Sequence, residues 1–192
     1  YETKQYYLAA EQLKSFVNGY PKSEKREEAM FLRGKAYSMV SPVYSQDQGD
    51  TYQALEVLQT FIDTYPDSQY LSEANEIVAE LTDKLEKKAF EIARQYNKIG
   101  GYTRNYNAAI VALDNFILDN PGSKYKEDAV FYKYDSAYKL AMNSIDDKKH
   151  ERLNKAISIY ESFIASYADT KYKSEAKQMF DNLNKELEIY SN

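Results

Sequence analysis

One phrase recurs four times in this chain, and it limits the fold more than any other feature. It reads FVNGYPKS from Phe16, FIDTYPDSQY from Phe61, FILDNPGSKY from Phe116 and FIASYADTKY from Phe163. An alanine lies seven residues before each Phe: Ala9, Ala54, Ala109 and Ala156. A proline lies five residues after it (Pro21, Pro66, Pro121), with Ala168 in its place in the last copy. A second alanine follows eight residues later: Ala29, Ala74, Ala129 and Ala176. Fixed offsets of this kind mark an internal repeat, and repeats of this size stack so that neighbours share a core.

Each copy has the form helix, corner, helix. Ala54, Leu55, Leu58, Phe61 and Ile62 fall on one helical face, as do Ala109, Ile110, Leu113, Phe116 and Ile117, and Ala156, Ile157, Ile159, Tyr160, Phe163 and Ile164. The small Ala admits a neighbouring helix and the Phe fills the space beyond it. Proline then stops the helix, because it lacks an N–H and drives the residue before it out of the α region. Two residues on, Ser23, Ser68, Ser123 and Thr170 stand where the next helix needs an N-cap, and Glu28, Glu73, Asp128 and Glu175 follow in its first turns. The pattern predicts helices over 3–19, 24–40, 51–64, 69–98, 105–119, 124–143, 150–167 and 171–189. Gly100–Gly101 is expected to end the long fourth helix. The polar stretch VSPVYSQDQGDT, 40–51, is an insertion too long for a helical-hairpin turn.

Composition removes whole classes of chemistry. Cysteine is absent, which excludes disulfides, thiolate catalysis and Cys-based zinc sites. The net charge of −5 argues against nucleic acid as a partner, since phosphate binding needs a basic face. No run of eighteen apolar residues is present. The sole histidine, His150, has no second His or Cys to complete a site and reads as structural or exposed. No nucleotide-binding or hydrolase motif occurs. Catalytic, metal-binding and cofactor residues are therefore expected to be none. Lys84, Lys87 and Lys88 read as a solvated basic face rather than a contact for an acidic partner. The tyrosine-rich FYKYDSAYKLA, 131–141, reads as packing between helices.

Ala54-Leu58-Phe61-Pro66 and Ala109-Leu113-Phe116-Pro121 resemble the second helix of a tetratricopeptide repeat, although the proline spacings of 45 and 55 exceed the regular period. The variant corner FxxxYPxSxY narrows the likeness. Together with AEQLKSFVNGYPKS followed by EEAMFLRGKAY, the SPVYSQDQGDTYQAL insertion, and the long helix running into GGYTRNYNAAIVALDNFILDNPGSKY, it resembles the BamD family of outer-membrane β-barrel assembly lipoproteins. Tol-Pal-associated repeat proteins share the corner alone.

The resemblance implies an all-α solenoid of tetratricopeptide-like helical hairpins, residues 1–192 as a single domain, with about four repeats and the first incomplete. Its corners lie near 16–24, 61–69, 116–124 and 163–171. The expected repeat core is Ala9, Phe16, Pro21, Ala54, Leu58, Phe61, Pro66, Ala109, Leu113, Phe116, Pro121, Ala156 and Phe163. The family's lipid-anchored Cys and first repeat do not occur here, so the chain reads as a fragment. The implied function is non-enzymatic: a scaffold at the periplasmic face of the outer membrane, anchored by lipid in the full-length protein. The implied partners are the periplasmic domains of the barrel-forming subunit, other assembly lipoproteins, and unfolded barrel substrates. No cofactor and no nucleic acid is implied. The alternative is another periplasmic repeat adaptor, of Tol-Pal or cell-division type, or a generic tetratricopeptide scaffold. Expected partner contacts are Tyr102, Arg104 and Asn105 after the Gly-Gly corner, and Tyr44, Gln46 and Asp47 in the insertion. The insertion is equally readable as a packing latch, and Arg104 as decoration of a helix start.

Overall fold

The computed structural model describes residues 2–103 and 105–191, with the side chains of 2–4 and 191 outside that description. Among the described residues eight helices follow in order: α1 (Glu2–Gly19), α2 (Arg26–Val40), α3 (Gly49–Thr64), α4 (Leu71–Thr103), α5 (Tyr106–Asp119), α6 (Lys126–Met142), α7 (Asp146–Ser166) and α8 (Lys173–Ser191). Helices adjacent in the chain pack on one another, α1 on α2, α2 on α3, α5 on α6, α6 on α7 and α7 on α8. This is a tetratricopeptide-like all-helical repeat. Where the connection is short, a helix has its predecessor as the nearest apolar surface to cover.

Backbone hydrogen bonds explain why the corner recurs. In each copy the residue before proline, or its counterpart, donates its N–H to the repeat Phe carbonyl, as Tyr65 does to Phe61 at 2.9 Å. Its own carbonyl accepts from the corner Ser or Thr, and that residue's carbonyl accepts from the first residue of the next helix. For Ser68 these bonds are 3.1 Å from Ser68 N–H to Tyr65 and 3.1 Å from Leu71 N–H. Two linked turns therefore consume the backbone groups that a helix end leaves open.

Several expectations change. The corner hydroxyls do not cap the helices directly. Each accepts from the N–H two residues on (Lys25, Tyr70, Tyr125, Tyr172), and the helix begins one residue later. Pro21, Pro66 and Pro121 are exposed, so they act as stops and fill no core. In the first copy Ala10 and Val17 are buried while Ala9 and Phe16 are half-buried, a turn of one residue in the face that α1 presents. Helix α7 starts at Asp146, four residues before His150, with Asp146 and Asp147 at its positive N-terminal end.

Gly100–Gly101 does not end α4, which runs through both to Thr103. The glycines serve a close approach. A Cβ on Gly100 would come within 2.6 Å of the Tyr106 ring, and one on Gly101 within 3.1 Å of its hydroxyl.

The sequence reading treats the chain as one array, whereas residue contacts divide it into two compact units, 1–88 and 89–192. Unit 1 is built on Phe31, Tyr37, Ala54, Leu58, Phe61, Ala74 and Leu81. Unit 2 holds two clusters, one on Phe90, Leu113 and Phe116, the other on Phe131, Tyr134, Leu153, Phe163 and Leu183. Three ring triads organise these cores. Phe31 stacks on Tyr70 at 4.7 Å and leans on Phe61; Phe90 stacks on Tyr125 at 5.4 Å beside Phe116; Phe131 stacks on Tyr172 at 3.7 Å beside Phe163.

Candidate functional site

The insertion of unit 1 is ordered and held by the basic cluster of α4. Lys84 Nζ donates to the Ser41 hydroxyl at 2.7 Å, Lys88 Nζ to the Gln46 carbonyl at 2.5 Å, and the Lys87 ammonium stands 4.5 Å from the Tyr44 ring centre. These lysines lie three and four residues apart on one helical face, so one face reaches the whole loop. The reading of Lys84, Lys87 and Lys88 as merely solvated is thus corrected: they clasp the insertion. Inside the loop, buried Gln48 donates to the carbonyls of Val43 and Gln46 and accepts from buried Thr51, whose hydroxyl also meets Ser41 at 2.6 Å. Asp47 accepts from the Gly49 N–H at the start of α3. Desolvation holds the Lys84 pKa below the ordinary lysine value. Tyr44, Gln46 and Asp47 are therefore engaged in internal contacts, while the Gln46 and Asp47 side chains remain exposed.

In unit 2 the expected contact residues scatter. Tyr102 is 91% exposed on the last turn of α4. Asn105 caps α5, its side-chain oxygen accepting from the Ala108 N–H at 3.2 Å. Arg104 lies outside the described residues. Beside this corner opens a cleft of about 370 Å³ lined by Gly101, Tyr106, Leu140, Asn143 and Arg152. Leu140 and Arg152 also line a second cleft, of about 320 Å³, which α5 borders with Ile110 and Val111 and α7 with Lys148, Glu151 and Lys155. Nothing in the repeat motif marked this trough, because its residues lie between the motif positions. The signal available was the i, i+4, i+7 spacing of Lys148, Arg152 and Lys155.

Two further polar sites escaped the sequence. Asn97 on α4 is buried and donates to Asp135 at 2.7 Å and Ser136 at 2.8 Å, while Lys139 donates to the same Asp135 carboxylate at 2.5 Å. Lys149, buried to 6% exposure, donates to the Met142 carbonyl at 3.0 Å and pairs with Glu186 at 2.8 Å. Both sets are satisfied internally and read as structural. The 131–141 segment is packing material: Phe131 and Tyr134 are buried, and burial pushes the Tyr134 hydroxyl well above the usual tyrosine range. His150 is exposed and touches Asn154 on its own helix. Among the described residues no group of three His, Asp or Glu side chains could hold a metal ion, and no helix is long and apolar enough to cross a membrane.

Two comparisons place this chain. A family model described as YfiO, outer membrane lipoprotein, matches residues 1–104 and again 101–191, so each unit is covered by a match. The outer membrane protein assembly factor BamD of Caulobacter vibrioides is 29% identical over 100 residues, which is 52% of this chain and 33% of that relative. The matched stretch thus spans about a third of the curated relative's length. Helical pairs repeated through two units, and a family model that accounts for both, lead to one assignment: the chain belongs to the YfiO/BamD family of outer membrane lipoproteins.

Proposed function

We propose that this chain is a non-enzymatic scaffold of the machinery that assembles β-barrel proteins into the bacterial outer membrane, working at the periplasmic face. The family match across both units carries the reading. Burial patterns agree with it: polar clusters such as Asn97–Asp135–Ser136 are consumed internally, and what remains outside is surface for contact. In the full-length protein a lipid anchor would hold the scaffold to the membrane, and binding rather than chemistry would be its work. Unit 2 would hold the periplasmic domains of the barrel-forming subunit near Gly100–Gly101, where Tyr102 projects. Unit 1 would engage unfolded barrel substrate, and other assembly lipoproteins would share the remaining faces.

The test is capture from a membrane extract with the full-length protein, comparing wild type with Tyr102→Ala and Arg104→Glu. Tyr102 is exposed, so its truncation should change stability by less than about 0.5 kcal/mol, and a thermal melt of each variant separates a docking loss from a folding one. Retention of the barrel-forming subunit by wild type, weakened by these variants, supports both role and placement. Wild-type capture with unchanged variants moves the docking face elsewhere. Recovery of Tol-Pal components instead would replace the assembly role with the adaptor one.

A further inference from the structure

We propose that the trough between α5 and α7 in unit 2 binds an acidic peptide segment that also carries apolar side chains. Its floor is apolar: Ile110 and Ala137 are buried beneath it, and Val111 stays 58% exposed on its wall. Its rim is cationic, with Lys148, Arg152 and Lys155 on one face of α7. Neither Lys148 nor Lys155 has an ionic partner among the described residues, and Arg152 spends one N–H on the uncharged Ser144 hydroxyl at 2.8 Å. Of the two acids lining the trough, Asp114 is already paired with Lys133 at 2.5 Å, which leaves Glu151 against three cations. A net positive trough thus stands in a chain of net charge −5.

That combination selects the occupant. Unpaired ammonium groups beside an apolar floor attract carboxylates, and complementary charge raises both association rate and selectivity. A bare phosphate or lipid headgroup would satisfy the rim and leave Val111 and the floor uncovered. An apolar helix would cover the floor and desolvate two lysines without compensation. A peptide alternating acidic and apolar side chains satisfies both. The inference rests on the reading of unit 2 as a docking unit, but its test uses a synthetic probe and so succeeds or fails separately.

The probe is a fluorescently labelled peptide of alternating glutamate and leucine, titrated with the whole chain and followed by anisotropy. The glutamine–leucine peptide and vesicles of anionic phospholipid serve as comparisons. The glutamate peptide should bind, should weaken with added salt, and should lose at least about tenfold in affinity to Lys148→Glu/Lys155→Glu. Both lysines are exposed, so the variant keeps the wild-type helical signal; Val111→Asp, equally exposed, should weaken the same peptide from the apolar side. Equal binding of the glutamine peptide would overturn the proposal, as would a double variant that binds like wild type. Vesicle binding without peptide binding would overturn it in favour of a membrane surface, and no binding of any probe would overturn it outright.

Discussion

Eleven residues after the corner serine, unit 1 has Gly34 and unit 2 has Tyr134; three residues further on, unit 1 has Tyr37 and unit 2 has Ala137. Large and small residues have exchanged places one turn apart on the same helix. In unit 1 the glycine lets α2 press on Leu58, so closely that a Cβ would sit 2.6 Å from it. The Tyr37 ring turns back toward α1, where its hydroxyl donates to Glu11 at 2.5 Å. In unit 2 the Tyr134 ring meets Tyr160, the counterpart of Leu58, at 5.5 Å, and its hydroxyl donates forward to the Ala176 carbonyl of α8 at 3.2 Å. The repeat therefore fixes the corner and the ring triad, while the space between them accepts more than one filling. Core volume has to be met, but the position that supplies it is free to move.

The loops after α2 and α6 make the same point with charge. Lys84 lies sixteen residues after Ser68, and Glu186 sixteen after Thr170. In unit 1 α4 sends a cation into the loop, whereas in unit 2 α7, which starts directly after the loop, supplies Lys149 and α8 supplies the acid.

The largest expected effect tests what the units share. Phe61→Ala and Phe163→Ala each remove a fully buried ring from a triad, and each should cost about 3–5 kcal/mol in denaturant titrations. Near-equal losses confirm matching cores. A loss under about 1 kcal/mol in one unit alone would break the equivalence.

The clasps should separate the units. Lys149→Met strands the Glu186 carboxylate and the Met142 carbonyl, and should cost about 2–3 kcal/mol. Lys84→Met should cost only about 1 kcal/mol, because the Ser41 hydroxyl keeps Thr51 as partner. Adding Glu186→Leu should recover much of the Lys149 loss. Equal costs at the two lysines would show that the charge swap has no energetic consequence.

What could be read in advance follows from the range of the interactions. The corner is local: proline geometry, a hydroxyl within two residues and a helix face set it, so four copies were visible as text. The tyrosine ending the motif (Tyr70, Tyr125, Tyr172) was also visible, but its stacking partner lies on another helix and carried no local mark. Gly100–Gly101 misled for the same reason. A glycine pair near a helix end usually signals a stop, and only the Tyr106 ring, brought over by the next helix, shows that close approach was the need. Lys84, Lys87 and Lys88 looked solvated because their partners, a hydroxyl, a ring and a backbone carbonyl of the loop, lie about forty residues away. The trough is a product of three helices and had no signature beyond the spacing of its cations.

A smaller effect probes the exchange itself. Gly34→Ala gains about 1 kcal/mol in helix propensity but drives a methyl into buried Leu58, so a net loss of about 1–2 kcal/mol is expected. Coupled with Leu58→Ala, the alanine should become favourable relative to glycine, which a double-mutant cycle would read directly. A stabilising Gly34→Ala on its own would mean that α2 can step back and that the close contact is not required.

The smallest effect at neutral pH becomes the most selective at high pH. Tyr134→Phe keeps the ring and removes one hydrogen bond, a loss of about 1 kcal/mol. Burial raises the folded pKa of Tyr134 far above the usual tyrosine value of about 10, so the folded chain holds its proton where the unfolded chain releases it. Stability from this residue is complete below pH about 10 and declines as pH climbs above it. Phenylalanine has no proton to lose, so above pH about 10 stability should fall less steeply in the variant than in wild type. The difference should appear in hydrogen exchange of α6 and α8, the helices joined by the Tyr134 hydroxyl, and not around Gly34, which has no hydroxyl to titrate. Tyr37, also raised by burial, gives unit 1 its own milder dependence in both proteins and leaves the comparison intact. Parallel pH profiles for wild type and Tyr134→Phe would show that the buried ring, for all its hydroxyl's isolation, does not govern the alkaline limit of unit 2.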